Sequence, residues 1–317
     1  MIRLILARIP QMVAVVLGVT IVAFFMVNIL PGNILFVILG ENYSKASAAA
    51  VTKQLNLNHP LLIRYFDWLG HAVRGDFGSS LVSHASVTSL MRTDALPTIE
   101  LVIGGQLVAL VLGVGLAVLS VGSRRAWVDR IGTGAGLFAA SMPAFVLALL
   151  IVWVFSMHWH IVSPDGWSAP AHGWGKNLRD IALPAILLGI GVFPGHMRIF
   201  RAELYEQIEG EEYVTLARMK GVSTRRLIFR HLTRNSAFGL LTVTAVSTGT
   251  LIAGAVILEN IFGIPGIGSL ILQGVQTRDA PVVQGCITVV AVVIVILNLL
   301  SDVGYMLLDP RVRDATS

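Results

Sequence analysis

Residues 212–236 read EYVTLARMKGVSTRRLIFRHLTRNS, a charged island in a 317-residue chain that is 55% hydrophobic and only 13% charged. Tyr213, Leu216, Ala217 and Lys220 fall on one helical face, and Glu211 and Glu212 stand in the first turn, where the helix dipole favours negative charge. Arg218 and Lys220 lie near the end, and Gly221 is the natural left-handed terminator. Ser223 caps a second helix with Leu227, Ile228, His231 and Leu232 on one side and Arg225, Arg226, Arg230 and Arg234 elsewhere. The pattern is therefore helix, glycine break, helix. A generic amphipathic loop on a membrane surface needs neither the acidic start nor the placed glycine.

Outward from this island the chain is apolar on both sides, with a mean hydropathy of +0.77. Six runs are long enough to cross a bilayer: Ile9–Leu30, Pro97–Val121, Ile131–Met157, Ile181–Met197, Phe238–Leu258 and Pro281–Leu308. The first follows Arg3 and Arg8 as a signal peptide would, but it is too long for one and LPGN follows in place of a cleavage site, so it reads as a retained span. Of the 23 Lys and Arg, 15 lie on the side of the opening stretch and of Arg124 and Arg125, and 8 on the other. That imbalance puts both termini in the cytoplasm, and with them the charged island, inside a loop at 198–235. The expected divisions are an N-terminal span at 1–30, an extracytoplasmic loop with short helices at 31–96, and a five-helix core at 97–317. The 31–96 loop is either a cap over the first span or a docking surface.

The composition also removes several functions. The middles of all six spans lack Asp, Glu, Lys and Arg, whereas a gradient-driven transporter keeps ionisable groups there. No GxxxxGK[ST], HExxH or GxSxG occurs, so neither a nucleotide cradle nor a recognisable catalytic motif is present. His158 and His160 point different ways at i and i+2 and read as interfacial polar residues rather than as metal ligands. The pI near 9.7 reflects basic residues beside apolar spans, not a nucleic-acid face. Cys286, the single cysteine, excludes an intrachain disulfide. The fifth run carries Thr244, Ser247, Thr248 and Thr250, small hydroxylated residues that suit either close helix packing or a wet path. IFGIPGIGSL beyond it, with Pro265 and Gly266, cannot be a regular span and suits a re-entrant turn or an external gate.

Glu212-Tyr-Val-x-x-Ala217-Arg218-x-Lys220-Gly221, followed by Arg230-His231 and Arg234-Asn235, resembles the cytoplasmic "EAA" coupling loop of ABC importer permeases of the dipeptide, oligopeptide and nickel permease family. The likeness extends along nearly the whole chain. It takes in Leu30-Pro31-Gly32, Gly75-Asp76-Phe77-Gly78-x-Ser80 and Thr98-x-Glu100-Leu101. Further on it includes Glu259 to Gly268, Arg278-Asp279-x-Pro281-Val282-Val283-Gln284-Gly285 and Asp309-Pro310-Arg311-Val312-Arg313. Two positions depart from the pattern: Gly239 stands near a customary proline, and Tyr213 replaces the eponymous alanine.

The resemblance implies an all-α membrane protein with six transmembrane helices of the type I ABC importer permease architecture, in a bacterial cytoplasmic (inner) membrane. It implies a pathway for peptides delivered by an extracytoplasmic substrate-binding protein, a second related permease, and two ATP-binding subunits that hold the ATP and Mg. The chain itself then carries no cofactor and no catalytic residue. The coupling contact falls on Glu212, Tyr213, Ala217, Arg218, Lys220 and Gly221, with His231 and Asn235 supporting the loop. Arg218 either bridges to the partner or fixes the loop to its own neighbouring helix. The competing readings are a stand-alone transporter or channel, which leaves the loop pattern unexplained, and a membrane scaffold, which leaves the polar fifth run unexplained.

Overall fold

A computed structural model describes residues 2–29, 44–54, 58–123, 144–158, 166–210 and 236–308, with single positions at 39, in 127–142 and in 214–233. The described residues are overwhelmingly helical. In chain order the helices are α1 (Ile2–Ile29), α2 (Lys45–Gln54), α3 (Leu61–Ala72), α4 (Val87–Gly122), α5 (Ala144–Ile151), α6 (Trp174–Gly210), α7 (Ala237–Phe262), α8 (Ile267–Gln276) and α9 (Ala280–Leu308). A π-helical turn, Val152–His158, continues α5.

Five helices are long and apolar enough to cross a membrane: Arg8–Asn28, Val87–Gly122, Trp174–Glu209, Gly239–Phe262 and Ala280–Gly304. The third run expected from the sequence is described only in part, as α5 and the turn after it, so five spans rather than six stand among the described residues. Several helices outrun the expected spans, α4 and α6 by the most. α4 begins ten residues before Pro97, and α6 runs unbroken through Arg198 to Gly210, so the opening of the expected loop is helix. The reason is apolar periodicity: Met197, Phe200, Leu204 and Ile208 keep three- and four-residue spacing past the arginines and pack on a shared core.

The chain divides into two compact units. The first comprises Met1–Ile5, Ile99–Ile264 and Leu297–Ser317. In it α4, α6 and α7 meet through small residues. A Cβ on Gly189 would fall 2.6 Å from the Gly105 carbonyl oxygen, one on Gly104 2.8 Å from Ala185 Cβ, and one on Gly254 2.8 Å from Leu188 Cδ1. Lipid tails are as apolar as leucine, so apolar burial gives spans little drive to associate and close van der Waals approach takes its place. One buried cluster gathers Leu101, Leu187, Leu188, Leu251, Leu258 and Ile264, and a second gathers Ala109, Ala117, Phe193, Phe200 and Leu204.

The second unit comprises Leu6–Thr98 and Pro265–Ile296. Its buried centre is Val87, Met91, Ile267, Leu270, Val282 and Cys286. Gly285 is required here by contact, since a Cβ would stand 2.8 Å from Val87 Cγ1 and 3.1 Å from Phe77 Cβ.

Candidate functional site

The charged island is part of the first unit's core. Val214, Leu227 and Leu232 are buried in the same cluster as Phe193, Met197, Phe200 and Leu204 of α6 and Ala109 and Ala117 of α4. Described positions on either side of Gly221 are thus anchored to membrane-crossing helices. The first turn of chain ends where Lys220 N–H donates to the Leu216 carbonyl at 3.1 Å and Gly221 takes φ 74°, a left-handed conformation costly for any residue with a Cβ. Opposite Val214, Leu216 is 53% exposed and Met219 81% exposed, three positions apart on one face. Glu212, Tyr213, Ala217, Arg218, His231 and Asn235 lie outside the described residues, and Lys220 is exposed. Met219 is absent from the residues singled out by sequence; a methionine among charges gives no signal until its burial is known.

The hydroxylated residues of α7 separate into two groups. Thr244 Oγ1 donates to the Leu240 carbonyl at 2.7 Å and Thr248 Oγ1 to the Thr244 carbonyl at 2.8 Å, so both satisfy themselves on their own helix. Ser247 and Thr250 instead line a cavity of about 620 Å³, together with Gly191, Val192, Gly195, Arg198, Arg201 and Val243 among others. Thr250 is exposed and Ser247 is buried.

Ser247 belongs to a polar cluster that sequence reasoning missed. Its Oγ lies 3.1 Å from Gln106 Oε1 and 2.9 Å from the Thr244 carbonyl, two acceptors that share its single proton. His196 is fully buried, with Nδ1 3.1 Å from the Val192 carbonyl and Nε2 2.9 Å from Gln106 Nε2. A carbonyl only accepts, so Nδ1 carries the proton, and the Gln106 amide nitrogen donates to Nε2 of a neutral ring. Gln106, His196 and Ser247 come from α4, α6 and α7, so the cluster cross-links three spans without a charge. Neutral polar residues so far apart in sequence, 90 and 51 positions, carry no spacing signature.

Elsewhere the sequence motifs become contacts within each unit. Asp279, nearly fully buried, accepts from Ser80 Oγ and from the Leu81 N–H at 3.1 Å, which clasps the GDFGxS and RDxPVVQG segments together. Ser80 Oγ in turn accepts from the Ser83 N–H at 2.9 Å. Gly263 closes α7 with φ 63°, and the Ile264 N–H donates to the Glu259 carbonyl at 2.8 Å. Pro265 is exposed and Gly266 buried, and the Gly266 N–H donates to Ser269 Oγ at 2.8 Å. The Ile267 N–H donates to Thr98 Oγ1 at 2.8 Å. The IFGIPGIGSL segment is thus a tight turn into α8, in which the Ile264, Gly266 and Ile267 N–H groups are each hydrogen-bonded. Glu100 accepts from Trp167 Nε1 at 2.8 Å and from Asn177 Nδ2 at 2.9 Å within the first unit. No group of three or more His, Cys, Asp or Glu suited to a metal occurs among the described residues.

Residues 109–314 match the family described as binding-protein-dependent transport system inner membrane component, and residues 1–97 match the N-terminal membrane component of the same systems. The chain belongs to this family. It is an ABC importer permease, a membrane component that is not itself catalytic. The permease is 33% identical to a putative peptide permease protein of Brucella suis biovar 1 over 99% of each chain. It is 30% identical to the glutathione transport system permease protein GsiC of Salmonella typhi and to the dipeptide transport system permease protein DppB of Escherichia coli (strain K12), in each case over 99% of both chains. The 109–314 match contains the charged island, His196, Ser247 and Asp279, and the 1–97 match contains Ser80 and Leu81, the partners of Asp279.

Proposed function

We propose that this permease lines a path for peptides across a bacterial cytoplasmic membrane and is driven by ATP hydrolysed in partner subunits through residues 212–221. The observation that carries the reading is the double character of the island: Val214, Leu227 and Leu232 are buried with the spans, while Leu216 and Met219 stand out beside the left-handed Gly221. A contact pressed on that face is transmitted to α4 and α6, because a close-packed cluster moves as one body. Glu212, Tyr213, Ala217, Arg218 and Lys220 complete the contact, and His231 and Asn235 hold the second helix in place.

In this reading the chain crosses the membrane six times, the stretch 131–157 supplying the remaining span, and both termini are cytoplasmic. A second, related permease faces α7, two ATP-binding subunits hold ATP and Mg, and an extracytoplasmic binding protein delivers the cargo. Ser247 and Thr250 border the path, and Pro265 and Gly266 close its outer end. Peptide as the cargo is supported by relatives whose names specify peptide, dipeptide and glutathione transport. The test is ATP-dependent dipeptide uptake by the assembled complex in proteoliposomes, with ATP hydrolysis followed in parallel. Gly221→Asp and Arg218→Glu are expected to abolish uptake while insertion and assembly persist. Unchanged uptake in both removes the coupling assignment, and uptake by the chain alone without an ATPase removes the importer reading.

A further inference from the structure

The amphipathic helix α3 carries an exposed apolar stripe. Tyr65, at its centre, is buried against α1: its ring meets Phe24 edge-on at a centroid distance of 5.4 Å, and Trp68 lies 6.2 Å from the same ring. Thr20 Oγ1 donates its proton to the Leu17 carbonyl at 2.9 Å, so the Tyr65 hydroxyl is the donor in the 2.9 Å bond between Tyr65 and Thr20. One residue earlier, Arg64 Nη2 donates to Asn28 Oδ1 at 2.9 Å.

These bonds fix a depth. Thr20 and Asn28 both belong to the apolar span Arg8–Asn28 and stand about 12 Å apart along its axis at the rise of an α-helix. Half of a bilayer's hydrocarbon core is about 15 Å thick, so a helix bonded at both positions lies beside the membrane-crossing part of α1 and not above it.

The faces of α3 agree with that depth. Leu62, Phe66, Leu69 and Val73 recur at i, i+4, i+7 and i+11 along one flank of the Tyr65 face. Leu62 is 61% exposed, Phe66 65% and Val73 80%. Asp67 and His71 are exposed on the far side, and Arg64 reaches out toward the Asn28 end. In water the stripe would forgo the favourable burial of each large apolar side chain left exposed. The same environment surrounds α1 at this level, where Val22 and Met26 are also exposed.

We propose that α3 is a monotopic helix embedded in the leaflet at the Asn28 end of α1, with Leu62, Phe66, Leu69 and Val73 immersed among lipid acyl chains. Tyr65 and Trp68 hold the helix on α1, and Asp67 and His71 face the headgroups. The segment between the first two spans then anchors α1 sideways to the bilayer, whatever cargo the transporter carries.

The test uses the intact complex in liposomes containing a phospholipid with a diazirine in its acyl chain. Illumination is expected to put adducts on the tryptic peptide Tyr65–Arg74, at Phe66, Leu69 or Val73. Labelling of that peptide only by a water-soluble diazirine would overturn the proposal, as would labelling by neither reagent, which means that protein covers the stripe. A second measurement places nitroxides at Phe66→Cys and Asp67→Cys after replacing the buried Cys286 with Ala. Oxygen is expected to reach the label at 66 several-fold better than a nickel chelate, and the order to reverse at 67. Equal or inverted accessibility at 66 sinks the idea.

Discussion

The side-chain amide nitrogen of Gln106 lies 2.9 Å from Nε2 of His196, near the middle of two helices long enough to span a bilayer. Buried polar groups within spans are satisfied by one another, and measured hydrogen bonds of this kind contribute about 0.6 kcal/mol on average, up to about 1.7 kcal/mol. Gln106→Leu leaves Nε2 of His196 without its donor and Ser247 without its side-chain acceptor. It is expected to destabilise the permease by about 1 kcal/mol, with Ser247→Ala adding less than its separate effect. Denaturation of the single and double variants in detergent checks this; full additivity would show that the three residues do not act as a unit.

Close approach of α4 and α6 gives a sharper contrast. Gly189→Ala pushes a methyl group to 2.6 Å from the Gly105 carbonyl oxygen and 2.6 Å from Val108 Cβ, so the helices must separate. The expected loss is about 1–3 kcal/mol or failure to assemble. Gly115→Ala, in the same α4, meets nothing within 4 Å and is expected to be neutral or slightly stabilising. Thermal unfolding of the two variants side by side decides the matter.

Asp279 is a buried acceptor of the Ser80 hydroxyl proton and of the Leu81 N–H, which its two oxygens share. Asp279→Ala orphans the Leu81 N–H and the Ser80 hydroxyl. Loss of hydrogen bonds to a charged group costs about 1.5–3 kcal/mol. Faster amide exchange is expected at Leu81 and its neighbours, while exchange in α6 stays unchanged. Uniform acceleration throughout the chain would mean that the clasp holds more than its own segment.

The two faces of the island predict opposite phenotypes. Leu227→Ala and Leu232→Ala remove buried side chains, and each is expected to destabilise the fold by about 2–5 kcal/mol. Met219→Glu alters an exposed side chain, so it should leave unfolding unchanged and lower ATP-driven uptake about tenfold or more, equivalent to about 1.4 kcal/mol of lost contact. Parallel uptake and thermal unfolding assays separate the two; a thermal shift in Met219→Glu without an uptake defect would reverse the assignment of that face.

Much of this architecture was legible because a bilayer imposes a one-dimensional rule. Apolar runs of sufficient length must be helices that satisfy their own backbone, so α1, α4, α6, α7 and α9 could be read from hydropathy, and their ends were the part misjudged. The extension of α6 past Arg198 escaped because hydropathy weighs each residue's average while Phe200 and Leu204 are buried by contact with neighbours distant in sequence. The Gly221 terminator was legible for a local reason, since a left-handed residue closing a helix is a backbone requirement.

Local chemistry and composition thus determined the class of protein, the approximate spans and the left-handed Gly221 of the island. Only the tertiary structure decided which side chains share a neighbourhood: that Val214 turns inward and Met219 outward, that Ser247 bonds across to Gln106 while Thr244 bonds to its own helix, and that Ser80 meets Asp279. Such pairings depend on the rotation and separation of helices about their axes. Those quantities are set by glycine contacts such as Gly189 against Gly105, summed over the whole interface, and no single stretch of sequence contains them.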